Sequence, residues 1–312
     1  MKSQQEIDAW SHYWHADRLD SCIAGRGAED EKYLQTLWQN FLDHIPNESK
    51  VLDLACGNGA VSVRLLKAAQ TAGKSINLSA VDLADIDPDN FVNTKGLTGQ
   101  ISFRGKVDIT DLPYESLAFE AAVSQFGFEY AEKSRACTEL LRILKPGGAF
   151  QLLLHHKNSA LVAPNVAQIE EIDRLLAPQG IVERICAFLE ASQVSQKKAF
   201  AALEESGRVV TEYFSGELPR ITQQIFSAVR QLIERRDLKS DVRLAAAKDM
   251  KIRLEHERER MRQLGHAALS QQSVQTLTGM FEKAGARDVS AEEFIIGQDN
   301  ALLGWLVKGQ KT

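Results

Sequence analysis

The 312-residue sequence predicts an α/β fold: a mostly parallel, seven-stranded sheet that finishes in an antiparallel hairpin, interrupted by a large helical insertion. Three observations carry this expectation. From residue 50 onward, short apolar segments alternate with helical ones, and the apolar segments lack the polar alternation of a half-exposed sheet, as expected for parallel strands covered on both faces. Between about 160 and 266 the strand signal stops and only helical stretches follow one another. After that block a helix and two apolar segments joined by a short turn close the chain, and strands so joined pair antiparallel.

Residues 1–46 read as an N-terminal helical cap. Two amphipathic helices, over 5–22 and 28–44, flank Ala24-Gly25-Arg26-Gly27. In the second, Tyr33, Leu34, Leu37, Trp38, Phe41 and Leu42 recur at helical spacing and form a core-facing stripe. Pro46-Asn47 then breaks the chain.

The α/β unit is expected over 47–160 and 267–312. Its strands fall at 51–55, 76–81, 101–107, 119–124 and 149–154, with helices at 60–72, closed by Gly73, and at 131–144, stopped by Lys145-Pro146-Gly147-Gly148. The insertion, 161–266, divides into helical stretches at 164–176, 180–205, 217–236 and 239–264. The last interleaves Arg253, Glu255, Glu257, Arg258, Glu259, Arg260 and Arg262, a pattern of a solvated helix laced with i,i+4 pairs rather than a nucleic-acid arm. A helix over 270–284 with Gly285 as its C-cap, a strand over 288–296, the turn Gln298-Asp299-Asn300 and a strand over 301–308 complete the unit.

A net charge of −5 gives no electrostatic reason to expect a nucleic-acid or anionic-membrane partner. The 4 cysteines (Cys22, Cys56, Cys137, Cys186) are scattered and have no metal-ligand spacing, as for free thiols in a reducing compartment. The chain opens without an apolar leader, and no stretch approaches the roughly 20 apolar residues of a membrane span. A cytoplasmic enzyme without a metal is the expectation.

The chemistry concentrates after the first strand, in Asp53-Leu54-Ala55-Cys56-Gly57-Asn58-Gly59. Small residues there let backbone approach a ligand, and the following helix N-terminus offers free N–H groups. A dinucleotide loop shares those features, but its fingerprint wants a third glycine where this chain has Ser62. Asp53, four residues before Gly57, suits a ligand that carries an ammonium and a sulfonium better than one carrying a pyrophosphate. A tight turn that binds nothing is the plainer alternative.

This stretch resembles the first motif of the class I S-adenosylmethionine-dependent methyltransferases, Asp/Glu-x-Gly-x-Gly-x-Gly, with Ala55 in place of the first glycine. The resemblance implies a Rossmann-like methyltransferase fold that binds S-adenosylmethionine and leaves S-adenosylhomocysteine as product. It covers about 50–155 and 270–308 and leaves the helical block out. Asp82, followed by Leu83, ends the second strand about 20 residues past the loop, where a carboxylate can accept both ribose hydroxyls of an adenosine. Val107-Asp108-Ile109-Thr110-Asp111-Leu112-Pro113-Tyr114 resembles the family's adenine-binding stretch. The resemblance implies that Asp108 accepts from the adenine amine and that the Ile109 N–H reaches a ring nitrogen.

The segment after the fourth strand, with Ser124 and Phe126, should line the methyl-donor site, because ligands sit at the carboxyl ends of such strands. It is not the Asn/Asp-Pro-Pro-Tyr of the family's nucleic-acid amino-methylating enzymes. The N-terminal helix often folds over the cofactor in this family, so Tyr13 and Arg18 are candidates for the methionine carboxylate, although packing of Trp10 and Trp14 explains that helix equally well. His155 and His156 after the fifth strand, and Glu129, are the acid–base candidates if the acceptor arrives protonated.

The expected function is in-line methyl transfer to an oxygen, nitrogen or carbon nucleophile of a small molecule. A non-catalytic S-adenosylmethionine-binding protein, a nicotinamide-dependent oxidoreductase and an aminopropyl transferase are the alternatives. The helical block is expected to act as a lid, an acceptor-selecting element or a homodimer surface.

Overall fold

Buried Val51, Leu52 and Leu54 place β1 (Ser49–Leu54) at the centre of a sheet, pairing in parallel with β2 (Ile76–Val81) on one side and β4 (Phe119–Gln125) on the other. A computed structural model describes residues 3–15, 28–88, 96, 98–215, 217–297 and 300–312. With β3 (Ile101–Arg104), β5 (Leu144–His155), β6 (Ala286–Ile296) and β7 (Ala301–Lys311), the sheet has the order β3-β2-β1-β4-β5-β7-β6. The first five strands are parallel; β7 runs antiparallel to β5 and to β6. The closing hairpin therefore folds back so that its second strand, and not its first, pairs with β5, and β6 forms the edge. The strand order reverses between β1 and β4, the switch point where a crevice opens at the carboxyl ends of the strands.

Helices cover both faces. Leu34, Leu37, Trp38, Phe41 and Leu42 of α2 (Ala28–Asp43) and Val61, Leu65, Ala68 and Ala69 of α3 (Ala60–Ala72) make one core with Val51, Leu78 and Ala80. Tyr33, from the same expected stripe, is exposed. Leu140 and Leu141 of α4 (Lys133–Ile143) and Leu277 and Phe281 of the helix Gln271–Lys283 make the other core with Leu52, Leu54 and Phe150. α1 (Gln4–Trp14) starts with a capping box, in which Ser3 and Glu6 satisfy each other's backbone N–H groups.

The chain divides into two compact units, Met1–Ala163 with Gln263–Thr312, and Pro164–Arg262. The second contains α5 (Asn165–Leu175), α6 (Ile181–Glu190), α7 (Gln196–Tyr213), α8 (Arg220–Glu234) and most of α9 (Ser240–Ala267). Its own core includes Ile172, Leu175, Ile185, Val210, Val229 and Ala247. The charges of α9 pair along the helix, as in Arg253–Asp249 at 2.6 Å, and also reach α5, as in Arg258–Asp173 at 2.9 Å. The helix Gln271–Lys283 that follows is α10, N-capped by Ser270.

Several boundaries differ from the sequence expectation. The helical run 180–205 breaks between α6 and α7, because Ser192-Gln193-Val194-Ser195 offers no buried face and Val194 is fully solvated. Lys145-Pro146-Gly147-Gly148 is not a separate turn: β5 begins at Leu144, and these residues form a bulge opposite Phe119–Ala121. At Gly148 an added Cβ would lie 2.8 Å from the Lys145 carbonyl oxygen, so only glycine fits the bulge. Gly285 sits one residue past the Ala284 C-cap, at φ +101°. The expected N-terminal helix continues past Trp14 in the sequence reading, but residues 16–27, Arg18 among them, lie outside the described residues, as do Gln298 and Asp299 of the closing turn.

Candidate functional site

The loop after β1 is built from three left-handed residues at alternate positions, Ala55 (φ +52°), Gly57 (φ +53°) and Gly59 (φ +91°). An alanine in that region costs roughly 1 kcal/mol against glycine, so glycine, as in the motif this loop resembles, would relieve strain at position 55. The loop is tied to β2: the Cys56 N–H donates to the Val81 carbonyl at 3.0 Å, and the Gly57 N–H donates to Asp82 Oδ2 at 2.7 Å. Asn58 is buried and donates to the Trp14 carbonyl at 2.8 Å. Gly59 caps α3 without a side-chain bond.

Both glycines have a steric requirement within the protein itself. An added Cβ at Gly57 would stand 2.3 Å from the Trp14 ring, and one at Gly59 would stand 2.5 Å from the Phe103 ring. Their bare backbones make room for aromatic side chains of the protein itself.

A cavity of about 460 Å³ opens at the switch point. Asp53, Ala55 and Cys56 form its floor, with Ala60 and Val61 from the start of α3. Asp82 and Leu83 line it from the end of β2, and Asp108, Ile109 and Thr110 from the loop after β3. Gln125 comes from the end of β4, Phe126, Gly127 and Tyr130 from beyond it, and Glu132 and Arg135 from the start of α4. Glu6, Ile7, Trp10 and Trp14 of α1 and Gln263 of α9 complete the wall.

Asp53 is fully buried. Its Oδ2 accepts the Ser62 hydroxyl at 2.7 Å and the Ser62 N–H at 3.1 Å. Its Oδ1 has no hydrogen-bond partner among the described residues. Burial pushes this carboxyl up to about 7; the Ser62 bonds oppose the rise and the nearby Asp82 carboxylate adds to it. Burial also raises the Asp82 carboxyl, against the Ala84 and Gly57 N–H groups that it accepts at 2.8 and 2.7 Å. A buried carboxylate oxygen without a donor is costly, and a bound cationic group would remove that cost. Asp108 accepts the Thr110 N–H at 2.8 Å, which sets the loop that carries Ile109.

The expected cofactor residues Asp53, Ala55, Asp82, Leu83, Asp108, Ile109 and Phe126 all line this one cavity. Four others do not. Ser124 is buried, donates to the Leu54 carbonyl at 2.7 Å and accepts the Phe128 N–H at 3.2 Å, so it staples β4 to β1. Tyr13 turns away from the cavity and packs with Trp14 and Ala84. Gly57 and Gly59 shape the loop as described.

The acid–base candidates also stand off the wall. Glu129 Oε1 accepts both the His155 N–H and its ring Nδ1 side, at 2.6 and 2.7 Å, with both residues buried. This pair lies behind the cavity, where His155 packs on Phe126 at 4.5 Å and against Tyr130 at 5.9 Å. His156 is held elsewhere, accepting the Asn158 N–H at Nδ1 and facing Glu293 at 3.5 Å and Trp305 at 4.6 Å. Burial lowers its ring pKa. The electrostatic partner that the sequence could not supply for each histidine is thus a carboxylate far along the chain.

Sequence reasoning passed over Trp10, Trp14 and Gln263 as wall residues, and included Gln125 and Tyr130 only as part of the segment 124–130 expected to line the site. The i,i+4 spacing of the two tryptophans was visible, whereas Gln263 carried no signal. Gln125 is oriented by Trp38, whose indole N–H donates to its Oε1 at 3.1 Å. Among the described residues no group of His, Cys, Asp and Glu is arranged to hold a metal ion, and no helix is long and apolar enough to cross a membrane.

Strand order, glycine loop and acidic wall together support the resemblance of the α/β unit to the class I S-adenosylmethionine-dependent methyltransferases. Residues 51–148 match a methyltransferase domain model. The ubiquinone/menaquinone biosynthesis C-methyltransferase UbiE of Rickettsia akari is 32% identical over 125 residues, which cover 38% of this chain and 49% of that protein. The protein of the same name from Pseudomonas paraeruginosa is 28% identical over 138 residues, covering 41% and 51%. The chain thus spans about half the length of the curated relatives it matches. Among solved structures, one titled as an S-adenosyl-L-methionine-dependent methyltransferase of Methanococcus maripaludis aligns with a TM-score of 0.48 at 14% identity, over 100% of this chain and 96% of that one. The DszA carbon methyltransferase aligns with a TM-score of 0.47 at 11% identity, over 93% and 56%.

Proposed function

We propose that this protein transfers a methyl group from S-adenosylmethionine to a small organic acceptor held in the same cavity. The observation that carries the reading is the unpartnered Oδ1 of Asp53, fully buried in the cavity floor. It fits the cationic end of the donor, while Asp82 fits the ribose hydroxyls and Asp108 with the Ile109 N–H fits the adenine. When bound, S-adenosylmethionine supplies a methyl group on an already activated sulfonium leaving group. The chain's part is to align the acceptor and exclude water, which needs no obligate catalytic side chain. Trp10, Trp14, Phe126 and Tyr130 supply the apolar wall for that task. A base is required only for a protonated nucleophile, and Glu129 and His155, which do not line the cavity, would need an intervening proton carrier such as the Tyr130 hydroxyl to serve one.

The curated relatives are C-methyltransferases of ubiquinone and menaquinone biosynthesis, which favours carbon among the possible nucleophiles and a small ring-bearing acceptor. We extend the reading to the helical unit, Pro164–Arg262, as the acceptor-selecting part of the chain. The test is calorimetry with S-adenosylmethionine, S-adenosylhomocysteine and NAD, followed by labelled-methyl transfer into hydroxylated aromatic and quinol acceptors and then a metabolite extract. Binding of the first two ligands alone, with label moving into a small molecule, is expected. Binding of NAD instead overturns the donor; tight donor binding with no transfer to any acceptor leaves a binding protein and overturns the enzyme.

A further inference from the structure

α1 supplies one wall of the cavity through Glu6, Ile7, Trp10 and Trp14. It has 11 residues, too short to be stable on its own in water, so it stays in place through what it touches. Its C-terminal half is anchored at the glycine loop and the end of β2: Asn58 donates to the Trp14 carbonyl, the Asp85 N–H donates to Ser11 Oγ at 3.0 Å, and Tyr13 and Trp14 pack on Ala84 and Ile86. Its N-terminal half meets Gln263. The Trp10 indole N–H donates to Gln263 Oε1 at 3.1 Å, and Gln263 Nε2 donates to the Glu6 carbonyl at 3.3 Å.

Gln263 is itself buried, 4% exposed, and comes from more than 250 positions along the chain. An amide is the right group there, because one end accepts from an indole while the other donates to a carbonyl. A carboxylate would lose the donor, and an ammonium would lose the acceptor. The pair fixes the indole of Trp10 perpendicular to Tyr130, at 5.4 Å and 87°, and stacked on Trp14 at 6.3 Å and 24°.

We propose that Gln263 is a positioning residue that latches α1 over the cavity through Trp10, so that escape of the bound adenosyl ligand requires this pair to break. The latch rests on the donor-binding reading given above. α1 then hinges at its anchored C-terminal half, and the Gln263 end is the part that opens.

Stopped-flow dissociation of S-adenosylhomocysteine tests it, alongside hydrogen exchange of the Trp10 indole proton in the ligand-free protein, assigned by W10F. Q263L removes both bonds at nearly constant volume and is expected to release the ligand about 3- to 10-fold faster, the scale of one neutral hydrogen bond, with association nearly unchanged. Its Trp10 indole proton exchanges faster. Q263E keeps the acceptor for Trp10 and sets a carboxylate against the Glu6 carbonyl, so release accelerates while the indole proton stays protected. W10F and Q263L combined release no faster than the faster single variant. Unchanged release and exchange in Q263L, or additive effects in the double variant, overturn the latch. Failure of the wild-type protein to bind S-adenosylhomocysteine overturns the donor reading, and indole exchange then still decides whether Gln263 holds α1. If Q263L does not fold, Q263E and W10F carry the same comparison.

Discussion

Ser62 donates both its hydroxyl and its backbone N–H to one oxygen of Asp53, at 2.7 and 3.1 Å, and the other oxygen of this cavity-lining residue is left buried and without a partner among the described residues. Ser62 stands where a dinucleotide loop has its third glycine. The departure that separates this chain from that class is therefore also the residue that orients its buried carboxylate.

Replacing Ser62 with alanine removes the shorter of the two bonds and frees the Asp53 carboxyl to rotate. A hydrogen bond to a charged group is worth about 1.5–3 kcal/mol, so the affinity for S-adenosylhomocysteine should fall at least about 10-fold. Titration calorimetry measures this, with circular dichroism to confirm an intact fold. Wild-type affinity in the variant would show that Asp53 orients itself.

The Asp53 carboxyl, pushed up to about 7 by burial, holds its proton more tightly in the folded chain than in the unfolded one. Between pH about 4 and 7 the folded state therefore binds more protons, and this residue's contribution to stability falls as pH rises through that window. The urea midpoint of D53N should gain on that of the wild type between pH 5 and pH 8. Cationic ligands favour the ionised form, so binding near pH 7 should release a proton. Calorimetry in buffers of different ionisation enthalpy should detect that release in the wild type and not in D53N.

At Ala55, φ +52° strains a residue with a Cβ, and glycine relieves it. A55G is expected to be neutral to stabilising, by up to about 1 kcal/mol, whereas G57A should destabilise by more than about 1 kcal/mol because its Cβ would enter the Trp14 ring. Urea unfolding distinguishes the two, and G57A should also shift the tryptophan fluorescence. Equal loss in both variants would contradict the backbone argument.

Glu129 is the sole acidic partner seen for the buried His155 among the described ion pairs. Leaving a buried donor unsatisfied costs about 1–3 kcal/mol, so E129A, which strips the acceptor from the His155 N–H and ring, should lose stability on at least that scale. E129Q keeps the shape and should lose less. Donor binding in E129Q is expected near wild type, which separates a structural contribution from one to the reaction. Strongly weakened donor binding in stable E129Q would instead place Glu129 in direct service of the cavity.

The alternation of strands and helices was legible because burial on both faces leaves an unbroken apolar run, and because Gly73 and Pro46 punctuate it. The acidic residues at the ends of β1 and β2 and in the loop after β3 were legible for a related reason. Strand ends at a switch point open on the crevice, so Asp53 and Asp82 could be named from position, and Asp108 from a motif resemblance, as residues that line one cavity. The break between α6 and α7 was harder to see, since helical propensity runs through it and only the solvation of Val194 marks it.

Sequence alone thus determined the sheet, its closing hairpin and the acidic floor of the cavity, all of which follow from local pattern and from the order of elements. Tertiary structure decided what the glycines and histidines are for. Gly57 yields to the ring of Trp14, 43 positions earlier, and His155 is paired with Glu129, 26 positions earlier, behind the wall and not in it. Gln263 closes on Trp10 from the far end of the chain. Such contacts depend on packing between segments remote in sequence, and no local periodicity encodes which side chain a given backbone will meet.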